Sequence, residues 1–111
     1  MLTNLNIELI YDDDNKKIEV LIIGEIDYSN YEKLRQITRK ILDSANNYKE
    51  IIFNLKDCKM ISSNGFGLFF ELQDFLINRK YAAKIKFSNV NNLILQNMKI
   101  LKMDSEFEIL V

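Results

Sequence analysis

Apolar and polar residues alternate along Leu5-Asn6-Ile7-Glu8-Leu9-Ile10-Tyr11, the period-two pattern of a half-buried strand. The polar run Asp12-Asp13-Asp14-Asn15 follows, made of residues that favour turns. Ile18 to Gly24 then reads as a second strand, and the short polar link predicts a hairpin that Gly24-Glu25-Ile26-Asp27 closes. Beyond it the period changes. Tyr31, Leu34, Ile37, Thr38, Ile41, Leu42 and Ala45 fall on one face of a helix, while Lys33, Arg35, Gln36, Arg39, Lys40 and Asp43 lie mostly elsewhere. Ser29 or Asn30 is placed to cap this helix, and Asn46-Asn47 ends it.

Glu50-Ile51-Ile52-Phe53-Asn54-Leu55 is continuously apolar at its centre, which predicts an interior strand covered on both faces. Lys56 to Met60 reads as a connection into Ile61-Ser62-Ser63-Asn64-Gly65, where a second helix starts and runs to Asn78. Ala83 to Phe87 is a strand, Ser88 or Asn89 caps a third helix through Val90, Leu93, Ile94, Met98 and Leu101, and Phe107 to Val111 forms a last short strand. The order β-β-α-β-α-β-α-β predicts a single α/β domain over residues 1–111, with a mostly parallel four- to five-stranded sheet and helices packed against it.

Composition narrows the chemistry. The chain has 111 residues and a net charge of -1, with no massed run of lysines, so nothing in it points to nucleic acid. Its apolar runs are too short to span a bilayer. The first residues carry no basic-then-apolar signal pattern, and the single cysteine has no partner for an internal disulfide, so a cytoplasmic protein is expected. With no histidine, the commonest general base, the usual nucleophile-activating pair and most zinc sites are missing, and no enzyme, metal or cofactor is expected. Cys58 reads as a space-filling residue, and Asp12-Asp13-Asp14 lacks the spacing of a calcium loop.

The informative segment is Asn54 to Leu68, where a buried strand meets a helix through Ser62-Ser63-Asn64 and two glycines, Gly65 and Gly67. All three polar residues are good helix N-caps, and capping alone would account for them. The same position offers unpaired N–H groups and the positive end of the helix dipole. A phosphate on a serine there would add about -1.5 to -2 charges to the surface without unfolding the domain. Gly65-Phe66-Gly67 is only a fragment of a phosphate-loop pattern, and tight turning or close packing suits it better. In the second helix Phe66, Leu68, Phe69, Phe70, Leu72, Phe75, Leu76 and Ile77 cover an apolar arc of roughly 220°, wider than one sheet contact needs. A neighbouring helix accounts for most of the excess, and Phe66, beside the serines, is the candidate for an exposed apolar patch.

Three landmarks together resemble the STAS family, named for sulfate transporters and anti-sigma factor antagonists. They are Gly24-Glu25-Ile26-Asp27, the strand Ile51-Ile52-Phe53-Asn54-Leu55, and Ile61-Ser62-Ser63-Asn64-Gly65-Phe66-Gly67-Leu68. The resemblance implies a stand-alone anti-sigma factor antagonist whose partner is an anti-sigma factor that is also a serine kinase. It places the phosphorylated serine at Ser63, with Ser62 as the neighbouring alternative, and the docking surface at Ser62, Ser63, Asn64, Gly65, Phe66 and Asp27. The resemblance also implies a phosphatase that resets the switch, with ATP and magnesium belonging to the kinase. Two positions depart from the family pattern: Ser62 stands where Asp is frequent, and Asn54 where the central strand usually carries Asp, so two carboxylates are lost near the switch. The departures also suit a second implied role, a constitutive scaffold or regulatory subunit of a transporter or larger signalling complex with no phosphate cycle.

Overall fold

The structure, a computed structural model, describes residues 4–111; the first three residues of the expected domain lie outside the described residues. Two antiparallel strands open the chain, β1 (Leu5–Asp12) and β2 (Lys17–Ile26), paired from Leu5 against Gly24 to Asp12 against Lys17. The link is a tight polar turn in which Asn15 donates from its N–H and its Nδ2 to the Asp12 carboxylate, at 3.1 and 2.8 Å, with Lys16 in the left-handed region. Then follow α1 (Tyr31–Ser44), a 3-10 turn at Ala45–Asn47, β3 (Glu50–Asn54), β4 (Cys58–Ile61) and α2 (Ser63–Asn78). The chain finishes with β5 (Lys84–Ser88), α3 (Asn92–Ile100), a 3-10 turn at Met103–Ser105 and β6 (Glu108–Ile109).

The main strand order is β1-β2-β3-β5-β6, with β4 beside β2. Every pairing after the opening hairpin is parallel. The order advances in one direction, and right-handed crossovers then place all three helices on the same side of the sheet. Burial alternates accordingly. Ile18, Val20, Ile22, Ile51, Phe53, Ile85 and Phe87 point under the helices and are buried, whereas Glu19, Leu21, Ile23, Ile52 and Lys86 are half-buried on the other face. The expectation that Ile51-Ile52-Phe53 is covered on both faces is therefore corrected: an uninterrupted apolar run has the same appearance whether its outward member is sealed or merely flanked. Phe53, Phe69, Phe87 and Phe107 form an aromatic cluster beneath α2, with centroid separations of 4.8 to 5.6 Å. α1 packs along α2, and Phe70 meets Phe107 on the far side, so two flanks as well as the sheet cover α2 and its wide apolar arc is mostly accounted for.

β4 is a strand where a plain connection was expected, and it raises the sheet to six strands. β3 pairs with residues 17–21 of β2; the chain loops out at residues 55–57 and returns as β4 along residues 24–26 of the same strand. β2 accommodates this with a register shift between Gly24 and Glu25, so it runs on to Ile26 instead of ending at Gly24. Gly24 has φ +113°, and a Cβ there would run into the Asn4 carbonyl. Two caps also differ from expectation. Asn30 precedes α1 but makes no side-chain cap bond, and α3 is capped by Asn91, whose Oδ1 accepts from the Ile94 N–H at 2.9 Å, while Asn89 adopts φ +56°.

On the uncovered face Lys17, Glu50, Lys86 and Glu108 form an ion-pair ladder across β2, β3, β5 and β6, with N–O distances of 3.5, 2.6 and 2.9 Å. Lys86 beside it holds the Glu50 carboxyl below the usual carboxylate range. A carboxyl depressed in the folded state stabilises the fold above its unfolded pKa, and that contribution disappears as pH falls through the folded value. Urea titrations from pH 6 to pH 3 are expected to show stability falling below about pH 4.5, with a shallower fall in Glu50→Gln. Gly65 supplies the other test. A Cβ there would stand 2.8 Å from both Ile26 Cγ2 and Ile61 Cγ2, whereas one at Gly67 meets nothing within 4 Å. Gly65→Ala is expected to destabilise by about 1–3 kcal/mol through overpacking, and Gly67→Ala to stabilise by roughly 0.5–1 kcal/mol through helix propensity, both read by chemical denaturation.

Candidate functional site

The last residues of β2 and β4 sit side by side, Ile26 against Ile61, and the Ser62 N–H donates to the Ile26 carbonyl at 2.8 Å. Because the two strands are parallel, the segments that leave them emerge at the same end of the sheet, where α/β folds gather their functional loops. One is the turn Asp27–Asn30 leading into α1, the other the first turn of α2.

Asp27 organises its own turn. Its Oδ1 accepts from the Ser29 N–H at 2.8 Å, the Ser29 hydroxyl at 2.6 Å and the Asn30 N–H at 3.2 Å, and its carbonyl accepts from the Tyr31 N–H at 3.0 Å. Asn30 completes the knot, its Oδ1 accepting from the Asp27 N–H and its Nδ2 donating to the Glu25 carbonyl. Asp27 thus sets the turn that leads into α1, while α1 itself carries no side-chain cap from Ser29 or Asn30 and its first N–H, on Tyr31, is met by the Asp27 carbonyl.

Across from it, Ser62 is the residue before α2, and its carbonyl accepts from the Phe66 N–H at 3.1 Å, the first helical bond. Its side chain makes no capping bond, and its hydroxyl is buried without a hydrogen-bond partner among the described residues. Ser63, the first helical residue, is exposed. Its Oγ lies 3.1 Å from the Tyr28 hydroxyl. Asn64 is half-buried in the same turn, and Gly65 seats the helix on Ile26 and Ile61.

Ser63 also stands on the rim of a groove of about 260 Å³ between α2 and the end of α3, lined by Ile61, Ser63, Phe66, Asn97, Ile100 and Leu101. Phe66 forms its floor and is only 3% exposed, which corrects the expectation of an exposed patch at that residue. The close seat of the helix at Gly65 turns Phe66 inward. The apolar surface belongs instead to Ile100, 77% exposed, and to Leu101, on and just beyond α3. Both residues escape a one-helix reading, because only the packing of α3 on β4 brings them beside Ser63. That packing is fixed by Asn91, whose Nδ2 donates to the Cys58 carbonyl at 3.2 Å. Tyr28 is likewise absent from the docking surface expected from sequence; its signal is an aromatic residue two positions beyond the β2 terminus, at the same sheet end as the serines.

Of the two departures from the family pattern, Asn54 is explained by its surroundings. Its Nδ2 donates to Glu19 Oε2 at 3.2 Å while its Oδ1 accepts from the Lys56 N–H and from Asn89 Nδ2, both at 3.0 Å. An aspartate offers no donor to Glu19, so the amide suits this position. Cys58 is buried, and burial pushes its thiol up to about 11, consistent with a space-filling residue. Among the described residues no three or more His, Cys, Asp or Glu side chains gather to hold a metal, and no helix is long and apolar enough to cross a membrane.

The backbone resembles solved structures of STAS-domain anti-sigma factor antagonists over nearly its whole length. An anti-sigma factor antagonist from Mycobacterium paratuberculosis superposes with a TM-score of 0.79 at 13% identity, covering 96% of this chain and 86% of that one. The Bacillus cell fate determinant SpoIIAA in its phosphorylated form gives 0.66 at 14% identity, covering 96% and 90%. The murine anion transporter Slc26a9 contains a similar unit, at 0.64 and 14% identity over 78% of this chain, which spans only 14% of the transporter. No protein-family profile matches the chain, and no curated protein matches it in sequence. The fold is therefore that of the STAS domain, a single α/β unit with a mixed, mostly parallel sheet and three helices.

Ser62 provides a direct check on the site. A buried hydroxyl without a partner costs about 1–3 kcal/mol relative to its loss. Ser62→Ala is expected to leave the fold intact and raise its stability by about 1 kcal/mol in thermal or urea unfolding.

Proposed function

We propose that this protein is an anti-sigma factor antagonist. Its unmodified form docks an anti-sigma factor that is also a serine kinase, through the first turn of α2 and the groove beside it, and so frees a sigma factor. The kinase transfers the γ-phosphoryl group of ATP to Ser63 Oγ, releasing ADP and the hydroxyl proton, and the complex dissociates; a phosphatase hydrolyses the phosphate and restores the binding form. The chain itself contributes no catalysis. The observation that carries this reading is the setting of Ser63, an exposed hydroxyl at a helix N-terminus on the rim of an apolar groove.

Two physical effects make that setting a workable switch. The α2 N-terminus tolerates a new anion, since helix dipole and first-turn N–H groups favour negative charge there. A partner that covers Ser63 must instead desolvate a dianion, which costs several kcal/mol unless a cation meets it. At about 1.4 kcal/mol per tenfold, that is enough to break a complex.

A second reading draws on the likeness to a unit within an anion transporter. In it the protein is a constitutive regulatory subunit of a transporter or signalling complex, and Ser63 is only a surface residue. Mass spectrometry after incubation with ATP and the anti-sigma-type serine kinase of the same organism separates the two: a single phosphate on Ser63 supports the switch, and an unmodified protein supports the subunit. The binding test is calorimetric titration with that kinase. Ser63→Asp is expected to weaken the complex by about 30-fold or more while keeping the wild-type circular dichroism spectrum. Ser63→Ala is expected to bind like the wild type and accept no phosphate.

A further inference from the structure

Tyr28 is 68% exposed, so burial does not hold its ring in place. What defines its position is the turn beneath it and the bond at its tip. Asp27 and Asn30 fix the backbone on either side through the bonds described above. From that fixed base the phenol reaches across to α2 and places its hydroxyl 3.1 Å from Ser63 Oγ. The two residues are 35 positions apart in sequence and come together only because β2 and β4 end side by side.

Resting on the reading of Ser63 as the modified residue, we propose that Tyr28 is its positioning residue in both states of the switch. In the unmodified protein the phenol selects one of the staggered rotamers of Ser63, and presents the hydroxyl in a single direction. After modification Oγ has no proton to share, and the phosphoryl group carries strong acceptor oxygens one bond further out. The Tyr28 O–H then becomes the donor, in a charge-assisted bond roughly twice as strong as the neutral one it replaces. Tyr28 thereby binds the phosphate on its own chain, ties the α1 approach to the modification state, and turns the dianion toward the side from which a partner would arrive.

The test uses the full chain and needs no kinase. Isotope-labelled wild-type protein and Tyr28→Phe, which keeps the ring and loses only the hydroxyl, are compared by NMR. The Ser63 Hα–Hβ couplings are expected to report one dominant rotamer in the wild type and averaged rotamers in Tyr28→Phe, the population ratio changing by about two- to tenfold. A second pair of samples carries phosphoserine at position 63, installed by genetic encoding. The 31P resonance is expected to differ between Tyr28 and Tyr28→Phe, and the Tyr28 Cζ resonance to move when the phosphate is present. Equal Ser63 couplings in the two proteins, or a 31P resonance unmoved by loss of the phenol oxygen, overturns the proposal. Neither result depends on whether a kinase acts on Ser63, and a kinase that ignores Ser63 leaves this measurement unchanged, so the two readings fail separately.

Discussion

The arrangement depends on one close approach: the first turn of α2 rests on Ile26 and Ile61, the terminal residues of two neighbouring parallel strands, with no side chain at position 65 to hold it off. Remove that seat and the helix start lifts from the sheet, Phe66 loses its inward direction, and Ser63 no longer shares a rim with α3. The contact is dispersive and steric, and it sets directions as much as it stabilises. A core packed to crystal-like density has no slack in which the helix could settle elsewhere.

Everything that gives the site its character is brought in by strands that end together. β2 delivers the knotted turn of Asp27 and Asn30, β4 delivers the serines, and Asn91 ties the start of α3 back to Cys58 at the head of β4. The irregularities upstream, the left-handed Gly24 and the loop at residues 55–57, serve the same end. They let a second short strand use the upper part of β2 after β3 has used the lower, and so carry the chain to the correct height before α2 begins. The opposite face of the sheet carries the row of alternating charges on Lys17, Glu50, Lys86 and Glu108, away from Ser63.

Much of this was legible in the sequence, and the omissions have definite causes. The hairpin, the amphipathic α1, the start and length of α2 and the α/β class follow from period and turn chemistry, which act locally. β4 escaped because Cys58-Lys59-Met60-Ile61 is too short to show a period, and its strand character comes only from pairing with residues far away in sequence. The one-sided sheet escaped because Ile52 is apolar although no helix covers it. Phe66 was placed on the surface because a helical wheel does not register how deeply a glycine lets the helix sink. Residue chemistry together with a family resemblance points to Ser63 as a candidate, whereas its neighbours Tyr28, Ile100 and Leu101 depend on three-dimensional contacts that no window of sequence contains.

The rigidity of the α2 seat has a consequence for how information leaves this molecule. A turn held by a backbone bond from Phe66 to Ser62 and seated against two isoleucine methyl groups has little room in which to shift. On the proposed switch, a mark written on Ser63 is felt beside it, at the Tyr28 turn and along the groove toward α3. Under that reading, a partner learns the state of Ser63 by laying itself directly over it.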